Sequence, residues 1–174
     1  MGICSECGKS DAIELGGGST EFFQATNLSA CPIFRPNIDI RQHPNVDIVC
    51  DLEKGIPFHS NHASQLRAVH LIQHFFYRNV PHFFDESYRV LKSGGHLFIM
   101  VSDLEYVFKC VLENGFNESH LQAIWGEGDY PSDFHHTGFT YQLVVEHMKK
   151  AGFINISSPF KRNLWEISIE SDKL

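Results

Sequence analysis

Residues Ala12-Ile13-Glu14-Leu15-Gly16-Gly17-Gly18-Ser19 carry the reading of the fold. Ala12, Ile13 and Leu15 give a short apolar strand, and three glycines run straight out of its carboxyl end. A glycine-rich turn in that place lets a ligand approach the backbone closely, because no Cβ stands in the way. Such turns are common, so the weight falls on what stands at fixed distances from this one. Asp39 follows about twenty residues on, the spacing at which a carboxylate meets a ribose in nucleotide-binding sheets, and it ends the apolar segment Asn37–Ile40. Asp51-Leu52 ends the next segment, Val46–Asp51, just ahead of Gly55-Ile56-Pro57-Phe58. An aspartate there can take the amino group of an adenine while a backbone N–H and Leu52 hold the ring. Taken singly, each carboxylate reads equally well as a solvated strand end or a helix cap. The ordered series is what argues for a nucleoside.

The rest of the chain alternates strands with helices. Leu66–His70 is another short apolar run bounded by turns, as buried parallel strands are. A short helix is read around Glu21–Thr26. Asn79 and Pro81 open a second helix, as cap and early-turn residues do. Phe83, Phe84, Tyr88 and Leu91 form its apolar face, and Lys92-Ser93-Gly94-Gly95 closes it with a glycine turn. His96–Val101 is a strand. Thr140 caps a further helix striped by Tyr141, Val144, Val145 and Met148, and Gly152 ends it. Phe153–Ser157 reads as a strand. Trp165, Ile167 and Ile169 alternate with Glu166, Ser168 and Glu170, so the last strand is expected to bury one face. No helix separates these two, which predicts an antiparallel C-terminal pair at one end of a mostly parallel sheet of about seven strands. The fold class is α/β, in one domain spanning 1–174 with 1–11 as a polar lead-in.

Composition narrows the function. The net charge of −7 argues against a partner held by phosphate neutralisation, so neither nucleic acid nor an anionic membrane is expected. No apolar run approaches the roughly 20 residues that span a bilayer, and no charged start precedes an apolar core, as in a signal peptide. The opening Met1–Glu6 fails as a myristoylation start because Glu6 stands where Ser or Thr is needed. Five cysteines without an export signal read as reduced thiols in a cytoplasmic protein. Cys4 and Cys7 look like half a zinc knuckle, but Cys31, Cys50 and Cys110 stand alone, so no metal is expected. Asp133 with His135-His136 reads as loop polarity. A dinucleotide fingerprint would want Gly or Ala three residues after Gly18; Glu21 stands there, against a nicotinamide cofactor.

Further segments fall in register with these. Val69-His70-Leu71-Ile72-Gln73-His74-Phe75, Glu86-Ser87-Tyr88-Arg89-Val90-Leu91-Lys92-Ser93-Gly94-Gly95, Ser102-Asp103-Leu104-Glu105, Gly128-Asp129-Tyr130, Phe134-His135-His136-Thr137-Gly138-Phe139-Thr140 and Lys150-Ala151-Gly152-Phe153 follow the glycine turn in order. From Ile13 to Ile156 the series resembles class I S-adenosylmethionine-dependent methyltransferases, in particular the type 11-like subgroup met in surface-polysaccharide and glycan gene clusters. The resemblance implies a Rossmann-like three-layer sandwich with S-adenosylmethionine as cofactor. It implies cofactor contacts from Glu14, Gly16, Gly17, Gly18, Asp39, Ile40, Asp51, Leu52 and His70. Gly16 and Gly18 would face the methionine end, Asp39 the ribose, and Asp51 with Leu52 the adenine. His70 would lie beneath the cofactor. The chain also departs from the family pattern. Gln73 replaces the usual Glu, Ser93 and Ser102 replace prolines, and the Gly17 position often carries Cys or Ser. The helix that normally leads into the first strand is missing, which would open the pocket on that side and implies weak cofactor binding, a homodimer or loss of activity.

Methyl transfer to a hydroxyl needs a base, and histidine suits that task near neutral pH. His135, His74 and Asp103 are the catalytic candidates, with His136 and Tyr106 beside them, and His135 stands first because the resembled tail turns it to the pocket. The expected acceptor is a small molecule or a glycan, methylated at oxygen. The competing reading is a degenerate methyltransferase fold that binds the cofactor or a partner without catalysis.

Overall fold

The computed structural model describes residues 11–18, 34–159 and 165–174. Cys4, Cys7, Glu21, Cys31 and the helix expected around Glu21–Thr26 lie outside them.

Six strands form one sheet in the order β3-β2-β1-β4-β5-β6. They are β1 (Ala12–Leu15), β2 (Asn37–Asp39), β3 (Ile48–Val49), β4 (Ala63–Val69), β5 (Leu91–Ser102) and β6 (Glu166–Asp172). The first five run parallel, and β6 is antiparallel to β5, with Ile99 opposite Ile169. Chain order moves outward from β1 to β3 and then jumps back across β1 to β4. That reversal opens a crevice beyond the carboxyl ends of β1 and β4, where open α/β sheets bind ligands. Ile13, Leu15, Leu66, Ala68, Leu97 and Ile99 are almost wholly buried, as parallel strands covered on both faces require.

Helix α1 (Val80–Val90) places Phe83, Phe84 and Val90 in the core. Asn79 stands at its N-cap position without capping it; the side-chain amide instead donates to Glu53 Oε2 at 2.6 Å. The glycine turn does not stop this helix either. It ends at Val90, the Leu91 N–H donates to Ser87 O, and Lys92–Gly95 enter β5 through a break in register. Gly94 absorbs that break at φ 72°, open to glycine at little cost. Helices α2 (Leu104–Asn114) and α3 (Glu118–Trp125) follow. In α4 (Tyr141–Ala151), Thr140 Oγ1 accepts from the Leu143 N–H, and Gly152 ends the helix in the left-handed region. Val144 and Met148 are buried as expected, and His147 is buried with them.

The C-terminal region corrects one expectation. Residues 153–157 are not a strand. They touch β6 through the Ile154–Asp172 bridge and the Ser157 N–H to Glu170 O bond, so the described sheet has six strands rather than seven. In β6, Ile167, Ile169 and Ser171 share the buried face, and on the opposite face Ser168 is buried while Glu170 is exposed.

Among the described residues, no helix is long and apolar enough to cross a membrane.

Candidate active site

The glycine turn after β1 is bare of necessity. A Cβ on Gly17 would stand 2.3 Å from Asn37 Oδ1 and 2.6 Å from Glu14 Cγ, and one on Gly16 would meet Leu71 Cδ1 at 2.6 Å. Gly16 and Gly18 also hold φ of 71° and 49°. The Gly16 N–H donates to Ile38 O at 2.7 Å, and the Gly18 N–H donates to Asp39 Oδ2 at 3.0 Å. The turn and the end of β2 are therefore one unit. Asp39 is buried, and its Oδ1 accepts from the Arg41 N–H at 2.9 Å. A carboxylate offers about four acceptor directions, so these two bonds leave capacity for a pair of hydroxyls. The Arg41 guanidinium reaches from Asp39 to the Tyr130 ring, 3.8 Å from its centroid. Burial pushes the Tyr130 hydroxyl up to about 12, the Arg41 charge pulling it back.

These residues open onto a cleft of about 700 Å³, within the range of roughly 300–1,000 Å³ usual for small-molecule sites. Gly16, Gly17, Gly18, Asp39, Ile40, Asp51, Leu52 and His70 all line it. Ile40 is half exposed at the rim, whereas Leu52 is buried. Asp51 sits beyond β3, its Oδ1 accepting from the Glu53 N–H and its Oδ2 facing Lys54 Nζ at 3.0 Å.

Glu14 stands apart from the other expected cofactor contacts. It lies beneath the turn, fully buried, and does not line the cleft. Its Oε2 accepts from Arg67 Nε at 2.7 Å and from the Phe34 N–H at 3.3 Å. Burial pushes its carboxyl up to about 7, although the Arg67 guanidinium pulls the other way. The reason is local: in β1 the side chain of Glu14 turns down toward Arg67 in β4, while the backbone that follows turns up to the cleft.

His70 leaves β4 at φ 51° and meets Glu166 Oε1 through Nε2 at 2.8 Å. Glu166 opens β6 and lines the same cleft, a position that sequence reading missed. The alternation of the last strand assigned it to the solvent face, and only the antiparallel pairing with β5 brings it back over the sheet end.

His74 and His135 converge from distant parts of the chain, as do Gln73 and His135, which are 62 positions apart. His74, His135 and His136 line one wall, with the rings of His74 and His135 edge to face at 5.0 Å. Desolvation holds His74 below the usual histidine range and takes His135 to about 4, with the neighbouring His74 adding to it. Both ring nitrogens of His135 are engaged, Nε2 by the Gln73 amide at 2.7 Å and Nδ1 by Ala123 O at 3.2 Å. His136 is exposed, its ring stacked on Phe76 at 4.4 Å. Asp103 lies outside this cleft. It caps α2, accepting from the Tyr106 N–H in the first turn of that helix. Among the described residues no group of three or more His, Cys, Asp or Glu could hold a metal ion.

The sequence model of the methyltransferase domain matches residues 14–99. The fold is that of an S-adenosylmethionine-dependent methyltransferase from Thermotoga maritima, 15% identical, with 94% of this chain and 82% of that one covered at a TM-score of 0.65. It is shared with a second from Aquifex aeolicus, 14% identical, covering 95% and 83% at 0.59. A third is the 1,6-didemethyltoxoflavin-N1-methyltransferase of Burkholderia thailandensis, solved with 1,6-didemethyltoxoflavin and S-adenosylhomocysteine, 10% identical, covering 94% and 71% at 0.61. No curated protein matches the sequence. Residues 14–99 thus match a methyltransferase domain, and the chain shares its fold with S-adenosylmethionine-dependent methyltransferases.

Proposed function

We propose that the chain transfers the methyl group of S-adenosylmethionine to a hydroxyl oxygen of a small, uncharged, polar acceptor, with sugars as the first class to test. The observation that carries this reading is the shared cleft. The glycine turn and Asp39 stand in it together with the histidine wall. The residues fit the cofactor: a bare turn for its methionine end, a carboxylate with acceptor capacity left for ribose, and Leu52 and Ile40 as apolar surface beside Asp51 for adenine. Bound there, the cofactor supplies a methyl group on an already activated sulfonium. The chain's share of the work is to position the reactants, exclude water and take the acceptor's proton.

His136 is the base in this proposal. Its ring is held against Phe76 and forms no hydrogen bond to the described residues, so its nitrogens are left for an acceptor. With S-adenosylmethionine bound, His136 would take the hydroxyl proton as the acceptor oxygen gains the methyl group that the cofactor supplies. His74 is the second candidate. His135 has its ring nitrogens engaged and Asp103 lies outside the cleft, which argues against either as base. The lining carboxylates Asp39, Asp51, Glu53, Glu127, Asp133 and Glu166 outnumber the one lining guanidinium, Arg41, which disfavours phosphorylated acceptors.

The test is calorimetric titration with S-adenosylmethionine and S-adenosylhomocysteine, followed by a panel of neutral sugars, other hydroxyl compounds and amines, reading release of S-adenosylhomocysteine. Micromolar cofactor binding with turnover on hydroxyl compounds is expected. Turnover on amines alone would overturn the oxygen assignment, and absence of cofactor binding by the folded chain would overturn the whole reading.

A further inference from the structure

Gln73 stands on the turn after β4, nearly wholly buried, and it organises the histidine wall from both its backbone and its side chain. Its carbonyl accepts from the His136 N–H at 2.8 Å and from the Thr137 N–H at 3.1 Å. Its side-chain Oε1 accepts from the Ser102 N–H at 3.3 Å, and its Nε2 lies 2.7 Å from His135 Nε2. Donor and acceptor roles follow without freedom. A backbone N–H can only donate, so the amide oxygen must face Ser102. The amide nitrogen then faces His135 and can only donate, so His135 Nε2 must accept. The ring proton is left on Nδ1, which lies 3.2 Å from Ala123 O, an acceptor only. From Ser102 through Gln73 and His135 to Ala123, every link runs donor to acceptor. A proton on His135 Nε2 would set two donors head to head.

We propose that Gln73 is a positioning residue that locks His135 as the neutral Nδ1–H tautomer and so keeps a second cation out of a cleft whose cofactor is itself a cation. The proposal rests on the methyl-transfer reading for its consequence, not for its geometry. The groups around the ring agree with it. Burial and the rings of His74 and His70 disfavour the imidazolium; Asp133 favours it, but its Oδ2 already accepts from the Gly128 and Asp129 N–H groups. The identity of the residue at position 73 matters for the same reason. A carboxylate there would accept from Ser102 and from a protonated Nε2 alike, and would draw a proton onto His135. Glutamine holds the same loop without the charge.

Two-bond proton–nitrogen correlation spectra of the chain labelled with nitrogen-15 test this, with the His135 signals assigned by His135→Gln. In the unaltered chain, Nδ1 should be protonated and Nε2 bare from about pH 8 down to about pH 5, the interval in which an ordinary histidine changes charge. In Gln73→Glu the His135 titration should move up by more than about one unit, as an adjacent carboxylate demands. Cofactor affinity in that variant should fall as the pH drops through the new value. A proton on Nε2 in the unaltered chain, titration in the ordinary histidine range, or an unmoved titration in Gln73→Glu would each overturn the proposal. Should Gln73→Glu not fold, the spectrum of the unaltered chain decides alone. Neither spectrum needs an acceptor, so a failure of methyl transfer and a failure of this assignment are separable.

Discussion

The Gly18 N–H donates to Asp39 Oδ2 at 3.0 Å, binding the loop after β1 to the end of β2. The carboxylate therefore shapes the turn as well as offering itself to a ribose. Asp39→Ala should weaken S-adenosylmethionine binding by about 100-fold, the loss of two hydrogen bonds to a charged group at roughly 1.5 kcal/mol each. Asp39→Asn keeps one acceptor oxygen and should fall between. Calorimetry measures both, and unchanged affinity in Asp39→Ala would remove Asp39 from the cofactor site.

Gly17→Ala tests the turn itself. The new methyl would meet Asn37 Oδ1 at 2.3 Å, and an overpacked site of this kind costs about 1–3 kcal/mol. The Tm should fall by roughly 2–4 °C for each kcal/mol. Asn37→Ala in the same chain should recover part of the loss, because the clash with Glu14 Cγ remains. A Tm equal to that of the parent would show that the turn has slack that the close packing denies. The Cys or Ser often met at this position in the resembled family would clash in the same way, so Asn37 and Gly17 belong together.

Glu14 carries the opposite kind of test. Its folded pKa, about 7, lies above the ordinary 4.5, so between these values the folded chain holds a proton that the unfolded chain has released. Stability from this group is thus full below about pH 4.5 and declines as the pH rises to 7, by on the order of 3 kcal/mol. Glu14→Gln lacks that titration. Its stability relative to the unaltered chain, from urea unfolding, should rise across this window and level off above it. A flat difference would mean that Arg67 keeps the carboxylate ionised throughout.

Much of the glycine-turn side of the cleft was legible in sequence, because its lining residues sit at strand ends whose order fixes their place. Gly16, Gly18, Asp39 and Leu52 are of this kind: a parallel sheet delivers its carboxyl ends to one edge whatever the loops do. Glu14 and Glu166 show where that logic stops. Strand alternation decides which face a side chain takes, but Arg67 draws Glu14 below the turn, and an antiparallel partner carries Glu166 over the cleft. The histidine wall depends on a loop folding back across sixty residues, and no local spacing encodes which ring nitrogen meets Gln73. Asp103 looked catalytic beside a strand end for the same reason that it is an N-cap: a short acidic side chain at the start of a helix. Residues 153–157 had strand composition but pair with β6 only through scattered bonds, and composition does not count bonds.

His136→Gln should lower kcat by about 10²–10⁴-fold, the usual worth of a positioned general base, and leave cofactor affinity unchanged. His74→Gln should have a smaller effect. Steady-state kinetics on an identified acceptor with parallel calorimetry separates the two quantities. Retained kcat in His136→Gln together with a collapse in His74→Gln would transfer the role to His74.

Acid should unfold this protein through its buried histidines, and His147 is the one to isolate. It lies in the core against Phe84, the rings parallel to within 4°, with Nε2 buried and without a hydrogen-bond partner. Desolvation, with Lys150 adding to it, holds it below the ordinary 6.5. His74 and His135 are depressed as well, mainly by desolvation. As the pH falls below about 6.5, the unfolded chain takes up protons that the folded chain refuses, so the stability these groups contribute above that pH is lost on acidification. Glu14 acts against this loss in the overlapping interval, since its protonation favours the folded state. A Tm profile of the unaltered chain therefore mixes two signs, and the difference between variants is what carries information. His147→Phe keeps the stack and removes the proton. Its Tm relative to the unaltered chain should rise as the pH falls from about 6.5, while Glu14→Gln should lose ground over the same range. Parallel profiles for His147→Phe and the unaltered chain would mean that His147 takes up its proton equally in the folded and unfolded states, and would leave acid sensitivity to the cleft histidines.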